Sequence, residues 1–97
     1  MDLARNPSRY IASRAVIDDA NRVWVQFGNQ TSVPMRNIEI SYAWLDDQGQ
    51  TRKGKETYRG PLGGGQKDQI NLGIRLNDAS ELSRRVRVEV TAAAVAE

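Results

Sequence analysis

Three short clusters in this 97-residue chain carry residue types that could do chemistry. Asp46-Asp47-Gln48-Gly49 sets two carboxylates beside a glycine, the beginning of a calcium loop. Calcium takes about six to eight oxygens, however, and neither further oxygen ligands nor the distal Glu of a helix–loop–helix site follows. The four residues therefore read as a hairpin turn, with Gly49 suited to a left-handed backbone. Gly63-Gly64-Gly65 with Lys67 has the glycine density of a phosphate loop. Such a loop opens a helix whose N-terminal amides face the anion, and its Lys is followed by Ser or Thr. Here the glycines precede a strand pattern and Asp68 follows Lys67, so a turn is again the expectation. Asn29-Gln30-Thr31 fits the glycosylation sequon, a pattern short enough to arise by chance.

What is missing narrows the chemistry further. The chain has no cysteine, which removes disulfides, iron–sulfur clusters and thiol nucleophiles. It has no histidine, the commonest metal ligand and the usual general base near neutral pH. Asp, Glu, Lys, Ser and Tyr are present, but no spacing pairs a nucleophile with a base. We expect no catalysis, cofactor, metal or small-molecule substrate. Fourteen basic and twelve acidic residues give a net charge of +2, too near balance to indicate nucleic acid by itself.

The basic residues fall into two groups. Arg52, Lys53, Lys55 and Arg59 lie in or beside a polar strand pattern, and Arg84, Arg85 and Arg87 lie in the last one. Were the two strands in one sheet, a positive face could meet phosphate, anionic lipid or an acidic partner. An immunoglobulin-like order separates them, and Glu56, Glu81 and Glu89 are interspersed, so a solvated face and edge protection are expected. Trp24 sits between Val23 and Val25, which places it outward on its strand. An outward Trp commonly marks a contact surface; the alternative is that it packs under Tyr10 or Ile11 or on an Arg stem. Tyr58, near a strand end, is a further candidate. The candidate partner contacts are Trp24, Tyr58, Arg52, Lys53 and Lys55.

The elements that must position these residues are strands. In Arg36 to Leu45, Ile38, Ile40, Tyr42 and Trp44 point one way, while Glu39, Ser41 and Ala43 point the other. This is the period-two pattern of a strand with one buried face. The same alternation recurs at Val23-Val25-Phe27, Ile70-Leu72-Ile74-Leu76 and Val86-Val88-Val90. Six strands are predicted: about Tyr10 to Ile17, Arg22 to Gly28, Arg36 to Leu45, Thr51 to Tyr58, Gln66 to Leu76, and Arg84 to about Ala93, with a seventh possible. The charged fourth strand suits a sheet edge. Asn77 to Ser83 is expected to make one helical turn, with Asp78 and Glu81 at capping-box spacing. Connections are too short for the crossovers of a parallel sheet. The fold class is therefore all-β, an antiparallel immunoglobulin-like sandwich of six or seven strands, in one domain with an ordered core over about residues 8–93. The expected core is Val23, Val25, Phe27, Ile38, Ile40, Tyr42, Trp44, Ile70, Leu72, Ile74, Val86, Val88 and Val90, each contributing about 1.5–3 kcal/mol.

Three runs together resemble a known family: Phe27-Gly28-Asn29-Gln30-Thr31, Met35-Arg36-Asn37-Ile38-Glu39-Ile40 and Leu45-Asp46-Asp47-Gln48-Gly49-Gln50. With Leu62-Gly63-Gly64-Gly65-Gln66 before Ile70-Asn71-Leu72, the stretch from about residue 22 to 76 resembles the bacterial FxLYD-type domains. Trp44-Leu45-Asp46 departs from that family's Phe-x-Leu-Tyr-Asp order. The resemblance implies a non-catalytic immunoglobulin- or fibronectin-III-like module appended to a larger secreted, periplasmic or lipoprotein chain. It implies a neighbouring domain or protein as partner, and no catalytic residues. No apolar run approaches the roughly 20 residues of a membrane span, and no leader-like segment follows Met1. The start MDLARNPSRYIAS reads as the way into a domain of a longer, cell-envelope chain; the alternative is a cytoplasmic protein. The alternative function is binding of nucleic acid or an anionic surface through a basic sheet face.

Overall fold

The computed structural model describes residues 2–96. A short helix α1 (Pro7–Tyr10) leads into β1 (Ile11–Ile17), then β2 (Arg22–Asn29), β3 (Met35–Leu45), β4 (Thr51–Tyr58) and β5 (Lys67–Arg75). A 3-10 turn (Ala79–Glu81) and helix α2 (Leu82–Arg85) precede β6 (Val86–Val95). The molecule is all-β in character, with two three-stranded antiparallel sheets ordered β1-β2-β5 and β4-β3-β6. The last strand starts at Val86 rather than Arg84, because Arg84 and Arg85 complete α2. Asp78 caps the turn by accepting from the Ser80 amide, but Glu81 does not close a capping box: its carboxylate bonds Arg84 and Arg85 instead.

Alternation along each strand builds the core. Val23, Val25, Phe27, Ile38, Ile40, Leu72, Ile74, Val86 and Val90 are buried, as expected from their period. Tyr42, Trp44, Ile70 and Val88 are only half-buried against that core. The reason for the aromatic pair lies in β4. Beside that pair its residues facing the same side are Arg52 opposite Trp44, Gly54 opposite Tyr42 and Glu56 opposite Ile40, so the edge strand brings apolar cover only at its far end, where Tyr58 stands opposite Ile38. The Tyr42 ring lies over Gly54, where an added Cβ would stand 2.4 Å from Tyr42 Cζ, and it stacks on Trp44 with centroids 5.6 Å apart. Leu76, the last of the Ile70-Leu72-Ile74-Leu76 alternation, is buried too, as are Ile11, Met35 and Leu62 at strand ends and in a connection where no period reaches. Met35 and Leu62 exchange backbone hydrogen bonds of 2.9 and 2.7 Å.

β5 carries a bulge. Val23 faces Ile74 and Trp24 faces Asn71, so Leu72 and Gly73 are extra on β5. Gly73 adopts φ 74°, a conformation a side chain would disfavour.

The β1–β2 and β3–β4 hairpins are built alike. In one, the Asp18 amide donates to Arg22 O and the Asn21 amide to Asp18 O; in the other, Asp46 bonds Gln50 O and Gly49 bonds Asp46 O. Asn21 and Gly49 take positive φ, 60° and 76°. Both hairpins lie at the pole where α2 sits, since α2 packs near β1 and Arg85 Nε donates to Leu45 O at 2.9 Å. The opposite pole holds the 30–34 loop and both ends of the described chain. There Gln30 N donates to Tyr10 O, and Ala96 N donates to Pro34 O, each at 2.9 Å.

Candidate functional site

β3 is the middle strand of its sheet, and its outward residues set the rows of the exposed face. Ala43 stands between Lys53 of β4 and Arg87 of β6. Ser41, one row along, stands between Lys55 and Glu89. Neighbouring antiparallel strands lie about 5 Å apart, so the Lys53 and Arg87 backbones are roughly 10 Å apart with only a methyl group between them. The result is a shallow depression lined by Ser41, Ala43, Lys53, Lys55, Arg87 and Glu89. The two basic strands thus share one sheet, contrary to the expectation that they would be separated. They do so because β4 pairs with β3 rather than joining the β1-β2-β5 sheet.

Not every charge on this face is available. Lys55 Nζ lies 3.6 Å from Glu39 Oε1, and the same oxygen accepts from Thr91 Oγ1 at 2.9 Å. Ser41 Oγ and Thr91 Oγ1 share a hydrogen bond of 3.2 Å. Among the described residues, Lys53 and Arg87 form no salt bridge. The arrangement offers two uncommitted cations across a flat, polar, small-residue floor, suited to carboxylates or phosphates presented from another surface.

The five residues singled out from the sequence fall in different places. Lys53 and Lys55 are on this face. Arg52 points to the other side of β4, where its Nε donates to Asp46 Oδ2 at 3.0 Å. Trp24 is half-buried on the outer face of the β1-β2-β5 sheet, between Val16 and Asn71, and its Nε1 donates to Asp18 Oδ2 at 2.9 Å. Neither Tyr10 nor Ile11 pairs with it in the sheet. Tyr58 is half-buried on the inner side, edge-on to Phe27 with centroids 5.0 Å apart. The Asp68 carboxylate near its hydroxyl, and burial after it, raise the phenol above its usual range. Arg87, which completes the row, was recognisable as outward from the alternation of the last strand, but nothing in the sequence sets it beside Lys53.

The clusters that could have done chemistry are structural. Asp46 Oδ1 accepts the amides of Gln48 and Gln50, and Oδ2 takes Arg52. Those bonds, the Gln50 amide first and the Arg52 side chain next, hold its carboxyl below the ordinary range. Asn29 is 2% exposed. Its Nδ2 donates to Val33 O and Leu62 O, and its Oδ1 accepts from Thr31 N and Oγ1. The sequon amide is thus buried and engaged in closing the 30–34 loop. In the glycine run, the Gly63 amide donates to Gln66 Oε1 and the Gly65 amide to Asn29 O, so these donors are turned inward.

No family model, no curated protein and no solved structure matches this chain. Among the described residues no helix is long and apolar enough to cross a membrane.

Proposed function

We propose that this chain is a non-catalytic interaction module of a larger bacterial cell-envelope protein, and that it docks an acidic protein surface on the outer face of the β4-β3-β6 sheet. The carrying observation is the row Lys53–Ala43–Arg87, with Lys55 one row away. Two unpaired cations flanking a methyl group form a flat acceptor for carboxylates, and the depression between them is too shallow to enclose a substrate. The order β1-β2-β5 and β4-β3-β6 supports an immunoglobulin- or fibronectin-III-like sandwich, since the first, second and fifth strands share a sheet there too. The envelope setting rests on the resemblance of residues 22–76 to FxLYD-type domains.

A second reading, binding of nucleic acid, is favoured by the same coplanar cations. Against it, Glu39 and Glu89 share the face, and its rows contain no aromatic ring on which a base could stack. Fluorescence anisotropy with a labelled Asp/Glu-rich peptide and with a labelled oligothymidylate separates the two. The peptide is expected to bind at low ionic strength and to weaken with salt. It should lose about tenfold or more in affinity in a Lys53→Glu/Lys55→Glu variant. A peptide that fails to bind even at low salt refutes the proposal. Tighter oligothymidylate binding with a steep salt slope would install the second reading instead.

A further inference from the structure

The outer face of the β1-β2-β5 sheet is built from different side chains. Its rows, read across β1, β2 and β5, are Ala12–Gly28–Lys67, Arg14–Gln26–Gln69 and Val16–Trp24–Asn71. Ala12 and Gly28 leave a shallow depression over the first two rows. The amide side chains orient one another. Arg14 Nε and Nη2 donate to Gln26 Oε1 at 3.1 and 3.0 Å, and Gln26 Nε2 donates to Gln69 Oε1 at 3.4 Å. Asn71 Oδ1 accepts the Gly73 amide at 2.8 Å. Each amide oxygen is thus engaged within the sheet, while N–H groups of Gln26, Gln69 and Asn71 remain for a ligand. Trp24 Nε1 is spent on Asp18, so what the half-buried indole still shows to solvent is carbon. Among the described residues Arg14, Lys67 and Arg75 form no salt bridge, whereas Arg22 is held by Asp18. Asp68 also borders the depression, but its carboxylate lies by the Tyr58 hydroxyl on the inner side.

We infer that this face binds an acidic glycan, a chain in which carboxylate-bearing sugar rings are separated by neutral ones. A surface richer in free donors than in free acceptors selects an oxygen-rich ligand, and the guanidinium fork of Arg14 matches a carboxylate. The cations are spaced. Arg14 and Arg75 stand on rows four β2 residues apart, about 13 Å, with the neutral Trp24–Asn71 row between them. There, ring hydroxyls accept from the amides, and the C–H face of a sugar packs on indole carbon. Nucleic acid fits this face less well. It carries a phosphate at every nucleotide, and one flanking a base on Trp24 would meet the Asp18 carboxylate.

This face belongs to the other sheet from the Lys53–Ala43–Arg87 row and does not depend on the docking proposed there. Titrating the full isotope-labelled chain with a hexasaccharide that alternates glucuronate and N-acetylglucosamine, followed by NMR, tests it. The expected result is a Kd of about 1 mM or tighter, with shifts confined to these rows and the Trp24 indole. Arg14→Glu and Gln69→Glu should each weaken binding about fivefold or more, since each sets a carboxylate against the sugar's own. Lys53→Glu/Lys55→Glu should leave it unchanged while losing the acidic peptide, so the two readings fail separately. No shifts at about 5 mM sugar, shifts centred elsewhere, or indifference to either single variant overturns the inference. So does a neutral glucose hexasaccharide that binds as well, or an oligothymidylate of equal charge that binds these rows more tightly. If Arg14→Glu lost its fold by circular dichroism, Gln69→Glu alone would decide.

Discussion

Asp18 and Asp46 each organise a hairpin through one carboxylate that accepts amides two and four residues on and a side-chain donor six residues on. For Asp18 the donors are the Ala20 and Arg22 amides and Trp24 Nε1; for Asp46 they are the Gln48 and Gln50 amides and Arg52 Nε. The Trp24 bond is the largest of the causes that bring Asp18 down from the ordinary 3.8 to about 2, with the Arg22 amide next. A carboxyl whose pKa is lower folded than unfolded stabilises the fold above its unfolded pKa and loses that contribution as pH falls through the folded one. Stability should therefore decline between about pH 4 and pH 2, and Asp18→Asn should flatten that part of the profile. Acid titration followed by tryptophan fluorescence and urea midpoints checks this; an unchanged slope in the variant would refute the assignment. The runs Asp18-Asp19-Ala20-Asn21 and Asp46-Asp47-Gln48-Gly49 announce turns in the sequence, because Asp and a residue tolerant of positive φ are turn chemistry. That Trp24 is the third donor was not legible. Its outward position says only which face it occupies, not which acceptor the turn sends toward it.

At the scale of elements, α2 is fastened by Arg85. The guanidinium is 7% exposed and reaches Leu45 O, Glu81 and Asp47, so it ties the helix to the base of the β3–β4 hairpin. Removing it would leave the Glu81 carboxylate, whose Oε1 already lacks a hydrogen-bond partner, without its buried cation. Arg85→Met should cost about 3 kcal/mol in urea unfolding and speed amide hydrogen exchange across Leu45 to Thr51. A loss below about 1 kcal/mol would mean that solvent already meets these charges. The existence of the six strands was legible because four of them alternate and turn residues bound the other two. Their order was not, since alternation tells which side chains share a face and is silent about which strand lies alongside. Lys53 and Arg87 became neighbours only when β4 and β6 proved to flank β3. Likewise, Ile11, Met35 and Leu62 joined the core from strand ends and a connection, where burial follows from closure of the sandwich rather than from period.

The whole molecule is elongated, 43 Å in its longest extent, with the two clasped hairpins and α2 at one pole and the 30–34 loop at the other. Tyr10 and Ala96 both bond that loop, so the chain comes in and goes out side by side. Under tension this geometry matters. A load applied between Asp2 and Ala96 enters β1 and β6 at the same pole and parts their ladders like a zip, one pair of hydrogen bonds at a time. Cross-strand bonds run perpendicular to the strands, so a load between Gln48 and Ala96, at opposite poles, would instead slide β6 along β3 and strain the whole ladder at once. Single-molecule pulling should find the first pair of attachment points yielding at a clearly lower force than the second; equal forces would mean that the two strands do not part independently. Mechanically, the domain is soft along its own chain and stiff along its long axis.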